Sequence, residues 1–441
     1  MADALTSLTR TGHERLLPAM KFVLASYGTR GDIEPSVAIG RELQRRGHDV
    51  QMAVPPDLID FAKSAGLATS AYGLETRAWL DAYRNFWTSV FRNVWRVGEL
   101  RKLWPELYEP LVQCWEEIST TLMSLTDGAD LLFTGLSFEQ PAVSVAEYYD
   151  IPLATLHYLP IRANGQLLPI LPAPLGRAAM ATYDWVGWRM DKKLEDAQRR
   201  RLGLPKATRS ASRRIAERGS LEIQAYDEAC FPGLAAEWAQ RNCQRPFVGA
   251  LTMELPTPTD DDVAAWIAAG PPPIFFGFGS MPVESPTDTL AMIAGACAEL
   301  GERALVCAGW SDFGDVSEAG EVKVVPAVNF ATAFPRCRAV VHHGGAGTTA
   351  IGIRAGVPAL ILSMDVNQTV WGSQVKRLKV GTTRRFSSTT QESLAQDLRT
   401  ILTSDYAARA RELASRMTTP SESISAAADL LEEKVRLERV G

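Results

Sequence analysis

The chain has 441 residues, 46% hydrophobic and 22% charged, enough for two cores, because single cores seldom grow past roughly 250–300 residues. Its net charge of −5 excludes a global positive field for nucleic acid or an anionic bilayer, so any such contact is local. The six cysteines form no C-x-x-C pair and have no histidine at ligand spacing, so neither a zinc site nor a disulfide scaffold is suggested, and they read as reduced thiols in the cytoplasm.

Residues 1–19 lack an apolar stretch of signal-peptide length, and no run of about 18 apolar residues appears anywhere. They read as a disordered tail ahead of Met20, the expected functional start, in a cytoplasmic protein. An apolar run (22–27), a glycine turn (28–34), an amphipathic helix (35–46) and a second apolar run (50–54) then form a βαβ unit. Trp79, Trp87, Trp95, Trp104 and Trp115 follow, interleaved with arginines. Helical spacing of Trp79, Tyr83, Phe86, Val90 and Val94 gives either a core helix or a greasy acceptor mouth touching the inner face of the plasma membrane, with Trp79 and Trp87 as acceptor contacts.

A second unit runs through 131–134, a helix over 139–149, and 153–157. The stretch 251–272, rich in proline, threonine and aspartate, reads as an exposed linker. Short apolar strands alternating with helices resume from Ile274, and 421–441 is helical in pattern and able to cross back. The expected fold is α/β, with two Rossmann-like parallel-sheet domains, 20–250 and 273–420, facing across a cleft.

In the second domain, Ala339-Val340-Val341-His342-His343-Gly344-Gly345-Ala346-Gly347-Thr348-Thr349 is a buried strand ending in a glycine turn that opens a helix. Such a turn aims free amides and the positive helix end at one point, and suits an anion. The imidazoles and the two threonine hydroxyls add donors. Gly345-x-Gly347-x-x-Ala350, with Asp365 further on, also satisfies a dinucleotide fingerprint, which leaves an oxidoreductase open.

The segment from His342 to Thr349, followed by Arg354-Ala355-Gly356-Val357-Pro358 and Asn367-Gln368-Thr369-Val370-Trp371, resembles the donor-domain signature of family 1 glycosyltransferases of GT-B fold, sterol and glycopeptide-antibiotic branch. Phe276-Gly277-Phe278-Gly279-Ser280-Met281, Gly309-Trp310 and Phe334-Pro335-Arg336 sit in the family's order. The resemblance implies that His342 contacts the donor phosphate, and that Gly344, Gly345, Gly347 and Thr348 line the pyrophosphate. Ser280, Trp310 and the Val328 backbone would hold the nucleoside. Gln368 would bind the donor sugar with Asn367, which stands where many members carry aspartate. Asp365 reads as an ordinary loop cap.

The base must then come from the first domain. Tyr27-Gly28-Thr29-Arg30-Gly31-Asp32-Ile33-Glu34-Pro35 lies at the carboxyl end of the first strand, where ligands of open α/β sheets collect. It resembles the family loop whose aspartate is the proposed base, which implies Asp32 as base, with Thr29 and Arg30 facing the donor phosphates. Asp32 also fits a helix cap, and as a base it needs burial to raise its pKa. His157, ending the 153–157 strand, is the second candidate for base or acceptor contact; Asp260-Asp261-Asp262 reads as helix capping, and no metal is required.

Together these imply an inverting glycosyltransferase without cofactor or nucleic-acid partner. The donor would be a dTDP- or UDP-linked hexose or 6-deoxyhexose, such as rhamnose or 6-deoxytalose. The acceptor would be lipophilic, since the N-terminal half resembles mycobacterial glycopeptidolipid glycosyltransferases. A sugar-nucleotide epimerase and a non-catalytic nucleotide-sugar binder are the other readings.

Overall fold

In the computed structural model of the chain, the described residues are 19–76, 97–167, 170–240, 245–279, 283, 285–309, 318–319 and 321–440, the side chains of 97–107 and 318–319 apart. Trp79, Trp87, Ser280 and Trp310, and the tail expected over 1–19 save its last residue, lie outside them.

The first domain runs β1 (Lys21–Ala25), α1 (Arg30–Arg45), β2 (Asp49–Val54), β3 (Ala68–Ala71), α2 (Val97–Thr126), β4 (Leu131–Thr134), α3 (Glu139–Tyr149), β5 (Leu153–His157), α4 (Ala173–Arg201) and β6 (Leu221–Gln224). Its strands pair in the order β3-β2-β1-β4-β5-β6, all parallel. Strand β1 shows why these residues are apolar throughout. Phe22 and Leu24 join one core with Ile33 and Val37 of α1, whereas Val23 and Ala25 join another with Ile118 of α2 and Val143 of α3. A parallel strand covered on both faces has no solvent side on which to place a polar residue.

The second domain runs α5 (Asp260–Ala268), β7 (Ile274–Gly277), α6 (Pro286–Leu300), β8 (Ala304–Cys307), β9 (Glu318–Ala319), β10 (Val322–Val325), β11 (Ala339–His342), α7 (Ala346–Arg354), β12 (Ala359–Ser363), α8 (Val366–Arg377) and β13 (Gly381–Arg385). The order is β13-β12-β11-β7-β8-β10-β9, parallel except for the short antiparallel β9. In both sheets the first strand is flanked on each side: β1 by β2 and β4, β7 by β8 and β11. At such a switch point the following loops part and leave a crevice beyond the strand ends. The loops after β1 and β11 open there.

The chain passes between the two cores more than once. Helix α9 (Pro420–Val440) returns to the first domain and buries Ala427, Ala428, Leu431 and Val435 against Phe22 and Leu24. Conversely, Tyr226, Phe231, Leu234 and Trp238, placed by composition in the first domain, pack with Trp371 and Val375 in the core of the second. The stretch expected as an exposed linker also differs: Leu251 and Thr252 are buried, and Val263 and Ile267 of α5 belong to the second core. Proline and aspartate report local exposure; they do not report which core the intervening apolar residues join. Arg354 pins the crossings, donating to the Ala250 carbonyl (2.7 Å), Thr252 Oγ1 (2.9 Å) and the Thr418 carbonyl (2.8 Å). Asp227 accepts from Thr418 N (2.7 Å).

Candidate active site

On the first domain, the turn after β1 is shaped by a carboxylate. Gly28 adopts φ 141°, and a Cβ there would lie 2.3 Å from Asp32 Oδ2. That close approach brings Thr29, the residue before α1, onto Asp32: Thr29 N (2.6 Å) and Oγ1 (3.0 Å) both donate to Asp32 Oδ2. Asp32 thus caps the helix as a first-turn anion should. The Tyr158 phenol, in the loop after β5, bears on it electrostatically. Burial raises its pKa above the usual carboxylate value, and these hydrogen bonds work against the rise.

On the second domain, β11 ends at His342, whose ring is fully buried. Its Nδ1 accepts from Gly344 N (3.1 Å), so the ring proton resides on Nε2, which has no partner among the described residues. Burial and the neighbouring His343 push its pKa down to about 3, and the ring is neutral. A buried donor left unpaired costs about 1–3 kcal/mol, which a ligand acceptor restores. Gly344 needs its φ of 99°, and a Cβ there would meet Ile361 Cγ2 at 2.8 Å. Beyond it α7 opens with no acidic residue in its first turn. The amides of Ala346, Gly347 and Thr348 have no carbonyl one turn earlier to bond. Thr349, expected to add a donor, instead turns its hydroxyl back to the Gly345 carbonyl (2.8 Å).

The two loops meet through the crossover and through α8. Glu34 Oε1 accepts from Met253 N (2.9 Å), and the adjacent Thr252 methyl lies 4.0 Å from where a Gly347 Cβ would stand. Glu34 therefore ties α1 to the crossover segment, whose Leu251 and Met253 pack on the first core. At the start of α8, Asp365 Oδ1 accepts from Gln368 N (2.9 Å), and Gln368 Oε1 accepts from Met364 N (2.7 Å). Gln368 is buried, with its carbonyl committed to this cap; Asn367 is exposed. Asp365 is a cap and more. Its pKa is raised by burial and by the charge of Asp32, and both carboxylates bear on Tyr158, whose phenol stays protonated.

His157 does not reach the cleft. Its ring is fully buried, with Nε2 2.8 Å from Glu139 Oε1 and Nδ1 3.2 Å from Gln224 Nε2, in a network completed by Arg162 and Glu222. Its neighbour Tyr158, which sequence reasoning missed, is the residue on which the charges of Asp32 and Asp365 bear. Side chains alternate at a strand end, so His157 and Tyr158 turn opposite ways.

Thr29 spends its hydroxyl on Asp32, against its expected role toward phosphate. Arg30 lies 3.7 Å from Glu34 and 5.0 Å over the Phe61 ring, half-exposed. Val328 is buried in the core of the second domain with Cys307 and Phe334. Asp260 binds Thr257 N (2.7 Å) and Asn329 N (2.8 Å), a structural cap. Trp115 is buried and donates to Gln198 Oε1 (3.2 Å), so this member of the tryptophan series is core.

Two family models match the chain: the glycosyltransferase family 28 N-terminal domain over residues 22–115, and the C-terminal domain of erythromycin biosynthesis protein CIII-like proteins over 309–432. An uncharacterized glycosyltransferase of Mycobacterium leprae is 58% identical over 417 residues, covering 94% of this chain and 97% of that one. The vancomycin aglycone glucosyltransferase of Amycolatopsis orientalis is 27% identical over 412 residues, 92% and 96% of the two chains. The solved structure of the glycosyltransferase VinC in complex with dTDP superposes with a TM-score of 0.62 at 16% identity, covering 96% and 100%. These likenesses overturn the oxidoreductase suggested by the glycine spacing, because Asp365 caps α8 within a donor domain. With its two facing sheets, the chain belongs to the family 1 glycosyltransferases of GT-B fold, relatives of the antibiotic glycosyltransferases that use nucleotide sugars.

Proposed function

We propose that the enzyme transfers a hexose or 6-deoxyhexose, such as rhamnose or 6-deoxytalose, from a dTDP- or UDP-sugar to a hydroxyl of a lipophilic acceptor, with inversion and without a metal. In this reading the α7 amides and the Nε2–H of His342 hold the diphosphate, with Gly344, Gly345, Gly347 and Thr348 around it and Arg30 at the mouth. As the acceptor oxygen bonds to the anomeric carbon, the carbon–oxygen bond to the phosphate breaks and its electron pair goes to the diphosphate. The acceptor proton passes to Asp32. The observation that carries this reading is the pairing of a raised carboxyl on one domain with an unpartnered buried imidazole donor on the other.

Support for a lipophilic acceptor comes from α4, where Leu175, Tyr183, Val186 and Met190 are exposed along one face, with Trp185 beside Arg189. Such a face suits a lipid-bearing acceptor, as a glycopeptidolipid would be, and contact with a membrane surface. A sterol or natural-product glucosyltransferase is the second reading, favoured by the likeness to the vancomycin enzyme. Calorimetry with dTDP, UDP and NADH tests the donor: binding of NADH alone sinks it. A panel of nucleotide sugars, read by acceptor-independent release of dTDP or UDP, then identifies the sugar.

A further inference from the structure

Helix α4 (Ala173–Arg201) carries two unlike faces. On one, Trp188, Leu194, Glu195, Gln198 and Arg199 are buried, with Gln198 donating to the Pro141 carbonyl (3.2 Å) and Arg199 paired with Glu147 of α3 (2.5 Å). On the other, Leu175, Tyr183, Val186 and Met190 are exposed, Tyr183 by 83% and Met190 by 50%. At 3.6 residues per turn these four, together with the exposed Lys193 and Arg200, fall within about 100° of the helix circumference. Trp185 and Arg189 flank the stripe, the guanidinium 6.0 Å from the indole centroid. The outward face is therefore apolar in its N-terminal half and cationic in its C-terminal half, where a helix that served only the core would be polar throughout.

Charge on this face is unbalanced. Lys192 is neutralised by Asp196 (2.9 Å) and Arg201 by Glu116, whereas Arg189, Lys193 and Arg200 make no ion pair among the described residues. Asp184 lies on the far side of the helix and accepts from Ser210 (2.9 Å) and Ser212 (2.7 Å). Three uncompensated cations thus share one face of a chain whose net charge is −5.

The helix is also oriented with respect to the cleft. It follows the loop after β5, so its apolar half starts at the strand-end edge where the crevice opens, and its cationic half runs away from it. Its beginning is tied to the second domain: Glu237 accepts from Gly165 N (2.9 Å) and pairs with Arg177 (3.0 Å), and Arg377 at the end of α8 donates to the Gln166 carbonyl (3.2 Å).

We propose that the outward face of α4 is a docking surface for an anionic lipid bilayer. Leu175, Tyr183, Trp185, Val186 and Met190 enter the headgroup and acyl boundary, and Arg189, Lys193 and Arg200 meet lipid phosphates. Docked in this way, the enzyme holds its cleft edge at the membrane, where an acceptor can present its hydroxyl while its apolar part stays in the bilayer; the inference rests on the lipophilic-acceptor reading for that purpose. A second copy of the chain answers the face less well, because a two-fold related α4 brings the same cations and no unpaired carboxylate to meet them.

Sedimentation of the full-length protein with vesicles of phosphatidylglycerol and phosphatidylcholine in equal parts, or of phosphatidylcholine alone, tests this without donor or acceptor. The protein should bind the anionic vesicles at least about ten-fold more tightly than the neutral ones, and lose that preference at about 0.5 M salt. Lys193→Gln/Arg200→Gln should weaken anionic binding about 20–30-fold, since each cation near such a surface gives about five-fold. Tyr183→Ser/Val186→Ser/Met190→Ser should weaken binding to anionic vesicles at least about ten-fold by removing buried apolar area. Both variants alter exposed side chains only, so Tm and the affinity for dTDP or UDP should match those of the wild-type protein. Wild-type protein that stays in the supernatant with anionic vesicles, or either variant sedimenting as the wild type does, overturns the proposal. So does a dimer in analytical ultracentrifugation that the triple serine variant abolishes, which assigns the face to a second copy. Binding of NADH alone in calorimetry would remove the transferase reading while leaving vesicle sedimentation in place, so the two failures separate.

Discussion

The turns after β1 and β11 share one local plan: a buried strand, a glycine at positive φ, and a helix whose first amides face the cleft. They differ in what fills the positive end. At α1 the protein supplies its own anion, because Asp32 accepts from Thr29 and closes the turn. At α7 no acidic residue stands in the first turn, the amides stay open, and the His342 ring beside them presents a donor without a partner among the described residues. The same backbone device thus yields a carboxylate base on one wall and an anion cradle on the other. The difference is a single side chain at the third helical position: Asp32 in one, Thr348 in the other.

The contrast breaks most visibly at Asp32. Asp32→Asn keeps a helix-capping side chain yet cannot accept the acceptor proton, so kcat should fall roughly 10²–10⁴-fold with dTDP or UDP affinity within a few-fold. Transfer assays and calorimetry on the same preparation check both halves. On the opposite wall, His342→Ala should weaken both the nucleotide and the transition state, costing roughly 10²–10³ in kcat. Because the ring is neutral down to about pH 3, wild-type nucleotide affinity should show no step from His342 between pH 5 and 8; a step that disappears in His342→Ala would refute the neutral donor.

Two glycines sharpen the comparison. A Cβ at Gly28 collides with Asp32, so Gly28→Ala should abolish transfer and lower Tm, with donor binding retained. A Cβ at Gly347 meets only the Thr252 methyl, at 4.0 Å. Gly347→Ala should therefore leave Tm within about 2 °C, since surface changes away from special contacts stay near ±0.5 kcal/mol, while the methyl enters the cradle and weakens dTDP or UDP binding about ten-fold.

The smallest effect concerns pH. The pKa of Asp32 is raised on folding, so the folded state binds that proton more tightly than the unfolded chain. The associated stability is present at acidic pH and lost as pH rises through the folded value. Asp32→Asn should then melt higher than the wild-type protein at pH 7, with the gain shrinking toward pH 3; equal differences at both pH values would contradict a raised carboxyl. Lost activity alongside gained stability is the usual mark of a site kept under strain for function.

Much of this plan is legible in the residues. Phe22 to Ala25 and Ala339 to His342 are apolar because each strand is covered on both faces, and their glycine turns announce themselves locally. What escaped was every relation that depends on a side chain's direction. His157 stands out chemically, yet it turns into Glu139 and Gln224, while the less conspicuous Tyr158 bears electrostatically on Asp32. Gln368 fits the family motif, but its carbonyl closes the α8 cap. Asp365, which a local reading confines to that cap, also bears electrostatically on Asp32 of the other domain.

Periodicity, turn chemistry and ordered motifs were sufficient to determine two parallel α/β domains and the two loops that carry the chemistry, because these follow from interactions between residues close in the chain. Only the tertiary structure decided which core 226–238 and α9 join, and which side chains converge across the cleft. How the two sheets are set against each other is fixed by burial and by contacts such as those of Arg354 between residues far apart in sequence.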